Sequence, residues 1–460
     1  MKYIDESKIS GILEKTKNVS RSEVEDVLNR SLSLKRLSLE DTAKLLAVED
    51  PDLLDKIFKT AKEVKQRIYG KRIVLFAPLY ISNYCSNNCL YCAFRSDNKS
   101  IKRTHLDADG IRRQTEILLK KGHKRVLVVA GEAPPKGKSS VDYYVEAINT
   151  VYSVRSGSDK IRRININCAP LNVEEFKKLK AAGIGTYQVF QETYHQETYK
   201  KVHPKGPKSD PDNRIDAVDR AFAAGVDDVG IGVLYGLYDY KFETLAMLSH
   251  VEHLEKAHNV GPHTISIPRI EPAPGVEFTK NIPYEVSDLE FKKVVAAVRL
   301  SVPYTGMILS TRETPALRAE LLDLGISQIS AASRTSPGGY DESEDTGVQF
   351  ELGDTRTLDE VMDSLVQKGF IPSFCTACYR SSRTGEAFMN LAKPGTIKGK
   401  CTMNALITLK EYLDDFSSEN VKRKGYEMIK KEKEKLSPDD RKALTGFYEG
   451  IDKGLRDEYV

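Results

Sequence analysis

Tyr84-Cys-Ser-Asn-Asn-Cys-Leu-Tyr-Cys-Ala-Phe94 follows closely on the apolar run Ile73–Tyr80. The run has the composition of a buried strand, so Cys85, Cys89 and Cys92 are predicted to lie in the loop after it. Their thiolates form a compact set of soft ligands. A [4Fe-4S] cluster normally takes four protein thiolates, so this first cysteine trio would leave one iron open. Zinc with three protein ligands and an open position is the alternative.

Seven further apolar runs follow, and segments of helical period alternate with them. The eight predicted strands are Ile73–Tyr80, Arg125–Ala130, Ile161–Asn167, Gly185–Phe190, Asp228–Leu234, His263–Pro268, Gly306–Thr311 and Ile326–Ala331. The helices predicted between them are Ile111–Lys121, Asp142–Val154, Val173–Ala182, Ile215–Ala224, Phe242–Lys256, Ser287–Leu300 and Pro315–Leu324. This pattern predicts an α/β fold with a TIM-type (β/α)8 barrel, closed or partly open, and a doubly wound open sheet is the alternative. In either fold, functional groups are expected in loops after the carboxyl ends of the strands.

The segments that flank the barrel are predicted to be mostly helical. Ser38 is expected to cap one helix, and Pro51 to open another that ends at Tyr69. The segment Ser336–Asp354, rich in Gly, Ser and acidic residues, is predicted to be a loop that leaves the barrel. The predicted domains are an N-terminal helical extension, the barrel and a mostly helical C-terminal domain, over residues 1–70, 71–345 and 346–460. Helices predicted in the last of these include Leu358–Lys368 and Ala405–Asp414.

Composition argues against two classes of partner. The 460 residues carry a net charge of +4 with basic and acidic residues interspersed, so no nucleic-acid surface is expected. Mean hydropathy is −0.42, and no apolar run reaches the roughly 18 residues of a membrane span. The N-terminus lacks the apolar core of a signal peptide, so a cytoplasmic location without membrane contact is expected.

The remaining four cysteines form a second group and one isolated residue. Cys375, Cys378 and Cys401 have the spacing CX2CX22C, and no histidine follows His263. Cysteines in a cytoplasmic protein favour metal or redox chemistry over disulfides. This second cysteine trio favours another [4Fe-4S] cluster with an open iron, and zinc with a borrowed fourth ligand is the alternative. Cys168 stands alone and is predicted to be a small buried hydrophobe.

The first cysteine trio, with Tyr91 before its last member, resembles the signature of the radical S-adenosylmethionine (SAM) superfamily. The resemblance implies a cluster whose open iron binds the amino and carboxylate groups of SAM, and cleavage of SAM to a 5′-deoxyadenosyl radical. It also places Tyr91 among the cofactor-binding residues. Ala130-Gly-Glu-Ala133 resembles the superfamily's GGE segment, with Ala130 in place of the first glycine. The backbone at Gly131 and Glu132 is therefore expected to contact the methionine part of SAM.

A radical SAM barrel followed by the second cysteine trio resembles the HydG family of tyrosine lyases, the [FeFe]-hydrogenase maturases. The likeness covers roughly residues 40 to 415 and includes Phe190–Tyr194, Gly232–Tyr240, Gly261–Ser266 and Tyr379-Arg380. It implies that L-tyrosine is cleaved between Cα and Cβ to p-cresol and dehydroglycine at the first cluster. At the second, dehydroglycine would yield CO and cyanide. These would assemble on an additional dangler iron with a non-protein cysteine, giving an Fe(CO)2(CN)-cysteine synthon for the H-cluster. His263 matches the family's ligand to the dangler iron.

Two further positions are candidates for substrate and cofactor binding. The carboxylate of tyrosine needs a cation, and a bidentate arginine suits it. Ser310 and Arg312, which end the seventh predicted strand, are the candidates, and Arg334 after the eighth is the rival. Glu192, after the fourth strand, is a candidate ligand of the SAM ribose hydroxyls, and anchoring of that strand is the alternative.

Other functions stay open at this stage. A ThiH-like 2-iminoacetate synthase would stop at dehydroglycine for thiamine biosynthesis, and that family lacks the second cysteine trio. A non-catalytic iron–sulfur carrier would bind clusters without cleaving SAM. Besides L-tyrosine, the HydG resemblance implies an electron donor of the flavodoxin or ferredoxin type and a hydrogenase-maturation scaffold protein as partners.

Overall fold

Parallel strands form the centre of the molecule. The structure is a computed structural model that describes residues 1–341 and 347–460. The strands in these residues are β1 (Arg72–Ser82), β2 (Arg125–Ala130), β3 (Arg163–Asn167), β4 (Tyr187–Gln188), β5 (Val229–Gly232), β6 (Thr264–Ser266), β7 (Gly306–Leu309), β8 (Gln328–Ser330) and β9 (Ile371–Ser373). The eight predicted strands correspond to β1–β8, and all six after β2 are shorter than predicted.

The barrel is closed by β1, which pairs in parallel with both β2 and β8. This confirms the predicted (β/α)8 barrel and excludes the doubly wound open sheet. All residues of β1 are buried, which explains why the strand reads as a nearly continuous apolar run rather than an alternating one.

The ninth strand was not predicted, because it has three residues and contains Pro372. It pairs with Arg72–Val74 of β1, whereas β2 pairs with β1 only from Ala77 onward. Val74 also pairs with β8 on the opposite edge of β1. β9 therefore occupies the same edge of β1 as β2, and pairs with residues that precede the first partner of β2. Proline is tolerated because β9 has a neighbour on one side only.

Helices cover the barrel and extend it at both chain ends. Those in the described residues are α1 (Glu6–Lys15), α2 (Arg21–Ser31), α3 (Leu39–Ala47), α4 (Pro51–Tyr69), α5 (Ala108–Lys120), α6 (Ser140–Ser153), α7 (Val173–Ala181), α8 (Gln196–Val202), α9 (Pro211–Ile215), α10 (Ala217–Ala223), α11 (Tyr240–His258), α12 (Asp288–Ser301), α13 (Pro315–Leu324), α14 (Leu358–Gln367), α15 (Ala377–Arg380), α16 (Gly385–Ala392), α17 (Ile397–Asp415), α18 (Glu419–Lys433) and α19 (Pro438–Asp452). Ser38 caps α3 and Pro51 opens α4, both as predicted. None of the described helices is both long and apolar enough to cross a membrane.

Besides β9, the C-terminal segment differs from the prediction in the start of a helix. Helix α17 begins at Ile397 rather than at Ala405, so Cys401 lies inside the helix. The added turns carry Gly399 and two lysines and have weak helix signals, but α17 packs against β9 and α4, and such packing outweighs local propensity. The predicted domain boundary between residues 345 and 346 lies outside the described residues.

A buried ion network joins the C-terminal segment to the barrel. Arg162, just before β3, donates from Nη1 to Glu411 of α17 at 2.7 Å, and its Nε lies 3.0 Å from Asp457. The side chains of Arg162 and Glu411 are each only 3% exposed. Removing one partner of a buried pair leaves the other charge without compensation, which costs about 3–5 kcal/mol.

We therefore expect Glu411→Ala to lower the free energy of unfolding by about 3–5 kcal/mol. Urea denaturation of the full chain, followed by circular dichroism, measures the change. Glu427→Ala is the control, because Glu427 pairs with Arg423 on the surface and exposed pairs contribute little. Equal shifts of the denaturation midpoint in both variants would contradict a stabilising role for the buried network.

Candidate functional site

A large cavity opens where the strands of the barrel end. Its volume is about 1410 Å³, including the mouth. The residues predicted for the first site all line it: Cys85, Cys89, Tyr91, Cys92, Gly131, Glu132, Glu192, Ser310 and Arg312. They come from the loops after β1, β2, β4 and β7, which is the end of a (β/α)8 barrel where active sites lie.

The first cysteine trio consists of free thiols at the wall of this cavity. Burial raises the pKa of Cys85 to about 11 and that of Cys89 to about 12, and it also raises the pKa of Cys92. The thiols are therefore protonated at neutral pH until a metal displaces the protons. The side-chain amide of Gln349 donates to Sγ of Cys92 at 3.6 Å, and Tyr91 donates to or accepts from Nε2 of His203 at 2.8 Å.

The cysteine loop is held by an arginine clamp and a glycine. Arg103 donates to the carbonyl oxygens of Asn83 at 2.6 Å and Phe94 at 2.8 Å, one at each end of the loop. Gly131 lies so close that a Cβ atom there would approach the Tyr84 carbonyl oxygen to 2.2 Å. Only glycine fits at this position, and the backbone after β2 therefore lies directly against the cysteine loop.

Glu132 is held by charged and polar side chains rather than left free in the cavity. Its carboxylate accepts from Arg214 at 2.9 Å and from Asn87 at 2.6 Å. Burial opposes ionisation, but Arg214 and Lys208 keep the pKa of Glu132 below its ordinary value. The Gly131 carbonyl oxygen accepts from the Ala133 amide at 2.9 Å and retains a second lone pair for a ligand.

Glu192 lies in the cavity wall with a left-handed backbone, at φ 71°. Its carboxylate accepts from Lys208 at 2.7 Å. The next residues are anchored by the buried Glu243, which accepts from the Thr193 hydroxyl and from the Tyr194 amide at 2.8 Å. Burial raises the pKa of Glu243 to about 8. A buried carboxyl group thus holds the strained turn from which Glu192 lines the cavity.

Arg312 is the cavity arginine with an available guanidinium. Its guanidinium carbon lies 3.4 Å from the centre of the Phe350 ring, and its Nη1 donates to the Arg269 carbonyl oxygen at 3.4 Å. No carboxylate in the described residues forms an ion pair with it, and burial lowers its pKa, although guanidinium stays charged in proteins. The Arg312 amide donates to Ser310 Oγ at 3.4 Å. Arg334, the rival, does not line the cavity.

The second cysteine trio lies near the opposite end of the barrel, close to where β1 begins. Cys375 follows β9, Cys378 is in α15 and Cys401 is in α17. All three are free thiols, and burial raises the pKa of Cys378 to about 12. Arg72, the first residue of β1, is buried beside them, and its Nε has no hydrogen-bond partner. A buried cation without a partner is costly, so thiolates or an anionic cluster would compensate its charge.

His263 lies at the same end as the second cysteine trio, just before β6. Its ring centre is 4.2 Å from that of Phe388 and 5.9 Å from that of Tyr379, the residue after Cys378. Nδ1 lies 3.2 Å from Asp228 Oδ2 without the angle of a hydrogen bond. Burial, followed by nearby arginines, lowers the pKa of His263 to about 3. The imidazole is therefore neutral, which is the form that binds metals.

Among the described residues, neither cysteine trio is a group of three ligands whose atoms all lie within 4.8 Å of one another.

Comparisons with known proteins agree with this arrangement. The model of the radical SAM superfamily matches residues 79–251, and that of the biotin and thiamin synthesis associated domain matches residues 266–371. The 2-iminoacetate synthase of Salmonella typhimurium is 33% identical over 346 residues, which cover 75% of this chain and 89% of that protein. A crystal structure of HydG, a maturase of the [FeFe]-hydrogenase, is 48% identical and superposes with a TM-score of 0.96 over 100% of both chains.

The chain belongs to the HydG family of radical SAM proteins. The HydG structure from Carboxydothermus hydrogenoformans is 40% identical, with a TM-score of 0.84 over 96% of this chain and 97% of that one. Membership of the radical SAM superfamily identifies an enzyme and implies a [4Fe-4S] cluster and SAM. The first site fits both groups, because it combines three free thiols with a cavity large enough for a cofactor.

Several residues around the predicted ligands were missed by sequence reasoning. They are cations and polar groups that contact or lie beside those ligands and their loops: Arg72, Asn87, Arg103, Arg125, Lys208, Arg214 and Gln349. Lys208 and Arg214 could have been noticed, because they lie in a Pro- and Gly-containing segment after the fourth strand. Arg72 could also have been noticed, because it is a charged residue at the start of an apolar strand.

Gly131→Ala tests the close approach between β2 and the cysteine loop. A methyl group there would displace the loop, so we expect about four fewer irons per chain after anaerobic reconstitution. Iron analysis with electron paramagnetic resonance (EPR) of the reduced protein measures the loss. Gly446→Ala is the control, because a Cβ at that helical position meets nothing within 4 Å. Full iron loading of the Gly131 variant would show that the loop tolerates the displacement.

Proposed function

We propose that the chain cleaves L-tyrosine to p-cresol and dehydroglycine, and then converts dehydroglycine to CO and cyanide. These ligands would form an Fe(CO)2(CN)-cysteine synthon for maturation of the [FeFe]-hydrogenase H-cluster. The observation that carries the proposal is the placement of two trios of free, partly or fully buried cysteines near opposite ends of one barrel. When bound, the [4Fe-4S] clusters and SAM would supply the radical and iron chemistry, including that of the dangler iron with its non-protein cysteine.

At the first site the chain's own residues would bind and orient the cluster, SAM and tyrosine. The first cysteine trio would hold one cluster and leave one iron for SAM. Gly131 offers a carbonyl lone pair to the SAM amino group, and Glu192 offers its second carboxylate oxygen to the ribose. Arg312, which forms no ion pair within residues 1–341 and 347–460, would bind the carboxylate of tyrosine together with Ser310.

At the second site the positive charge of the chain favours an anionic cluster. Arg72 lies buried beside the second cysteine trio, and Arg125 donates to the Cys375 carbonyl oxygen at 3.1 Å. The neutral His263 could provide an imidazole to the dangler iron. Tyr379 would keep its place between the cysteine loop and the barrel, because its hydroxyl bonds to Thr186 at 3.0 Å.

A second candidate is a 2-iminoacetate synthase, which is the activity named for the Salmonella relative. That enzyme class would use the first site alone and would release no CO. The second cysteine trio, with Arg72 beside it, favours the longer reaction. A flavodoxin- or ferredoxin-type donor and a maturation scaffold are the partners that the longer reaction requires.

Cys378→Ser combined with Cys401→Ser separates the two candidates. Loss of the second cluster should leave the first reaction intact, so we expect p-cresol to form at the wild-type rate while CO is lost. Chromatography measures p-cresol, and the absorbance of deoxyhaemoglobin measures CO. Cys168→Ala is the control, because Cys168 is the cysteine outside both trios. Wild-type protein that forms p-cresol but no CO would favour the 2-iminoacetate synthase.

Arg312→Lys tests recognition of the tyrosine carboxylate. A bidentate, charge-assisted contact contributes about 1.5–3 kcal/mol, so its loss should raise KM for tyrosine about 10- to 100-fold. Steady-state kinetics of p-cresol formation measures this. Arg334→Lys provides the matched control and should leave KM unchanged. A raised KM in Arg334→Lys with an unchanged KM in Arg312→Lys would identify Arg334 as the residue that binds the tyrosine carboxylate.

A further inference from the structure

Three potential metal ligands meet outside both cysteine sites, on the outer surface of the barrel. Asp219 lies on α10, and His253 and His258 lie in the last turns of α11. Asp219 Oδ1 is 2.9 Å from Nε2 of His253 and 2.7 Å from Nε2 of His258. In the described residues this is the one group of three His, Cys, Asp or Glu side chains whose ligand atoms all lie within 4.8 Å of one another.

The geometry and ligand types suit one first-row dication. Two imidazole nitrogens and a carboxylate oxygen form a ligand set that zinc and non-haem iron use, with further positions left for water. Zinc binds such sites more tightly than ferrous iron. The three ligand atoms lie as close to one another as ligands around one ion do.

Buried polar atoms without partners give a second, independent observation. Asp219 Oδ2 is buried and has no hydrogen-bond partner, so only one of its carboxylate oxygens is engaged. The neighbouring His250 uses Nδ1 with the Tyr194 hydroxyl at 2.9 Å, and its Nε2 is buried without a partner. The ring centres of His250 and His253 are 6.4 Å apart. Unsatisfied buried groups of this kind call for a missing ion or water.

Aromatic rings hold the two histidines in place. The Tyr3 ring stacks on His253 at 3.5 Å, and the Phe222 ring stacks on His258 at 4.3 Å. Tyr3 is tied down in turn, because its hydroxyl donates to Asp216 at 2.7 Å. The three ligand side chains keep 20–22% of their surface exposed, so an ion can reach them from solvent.

We propose that Asp219, His253 and His258 bind one Zn²⁺ ion per chain, at a site separate from the proposed chemistry. The ion would link α10 to the C-terminal end of α11. Zinc measured in the protein would then come from this surface site and would carry no information about the second cysteine trio.

Equilibrium dialysis of the untagged, reconstituted full chain against Zn²⁺ tests the proposal, with zinc and iron measured together by mass spectrometry. We expect one zinc per chain in the wild type. We expect zinc to fall to near zero in Asp219→Asn and His258→Gln, with the iron content unchanged. The melting temperature should rise on adding Zn²⁺ to the wild type and should stay constant in these variants.

Two controls complete the design. His105→Gln removes an exposed histidine elsewhere and should retain the zinc. The Cys378→Ser/Cys401→Ser protein should lose iron and retain the zinc. The proposal is overturned if the wild type takes up no more zinc than Asp219→Asn, which would leave a purely hydrogen-bonded triad. It is also overturned if zinc disappears with the cysteines rather than with the histidines.

Discussion

The positions of both cysteine trios depend on one strand, β1. β1 is long enough to have different neighbours along one edge: its first residues pair with β9 and its later residues pair with β2. The first cysteine trio follows the carboxyl end of β1, and Cys375 follows the strand that pairs with the other end. Ser373, two residues before Cys375, pairs with Val74, so eight residue steps of about 3.3 Å, or about 26 Å of β1, lie between that level and Ser82 at the carboxyl end. The separation of the two sites therefore depends on the length of a single buried strand.

Much of the fold was predictable because its signals are local. Apolar runs gave β1–β8, and caps such as Ser38 and Pro51 gave helix starts. β9 was not predicted, because three residues with a proline carry no periodic signal. Its stability comes from pairing with a strand almost 300 positions earlier. The early start of α17 was not predicted either, because its added turns are stabilised by packing against distant segments.

The candidate site shows the same division between local and long-range information. Cysteine spacing is visible in the sequence, and so is a Gly-Glu pair after a strand. Which cation pairs with which carboxylate is not visible, because Arg214 and Glu132 are joined only by the closure of the barrel. Four buried cations at the two sites fall into two kinds. Lys208 and Arg214 are compensated within the chain, whereas Arg72 and Arg312 are held without carboxylate partners in the described residues, beside the places where anionic groups are proposed to bind.

The left-handed backbone of Glu192 has a consequence for protein engineering. A non-glycine residue in that conformation stores about 1–3 kcal/mol, which the buried Glu243 and the surrounding turn offset. Glycine or asparagine at position 192 would relieve the strain. The same change would remove the carboxylate that pairs with the buried Lys208, and a buried charge left without its partner costs about 3–5 kcal/mol. Selection for thermostability would therefore tend to keep Glu192, so at this position stability and the chemistry of the cavity wall favour the same residue.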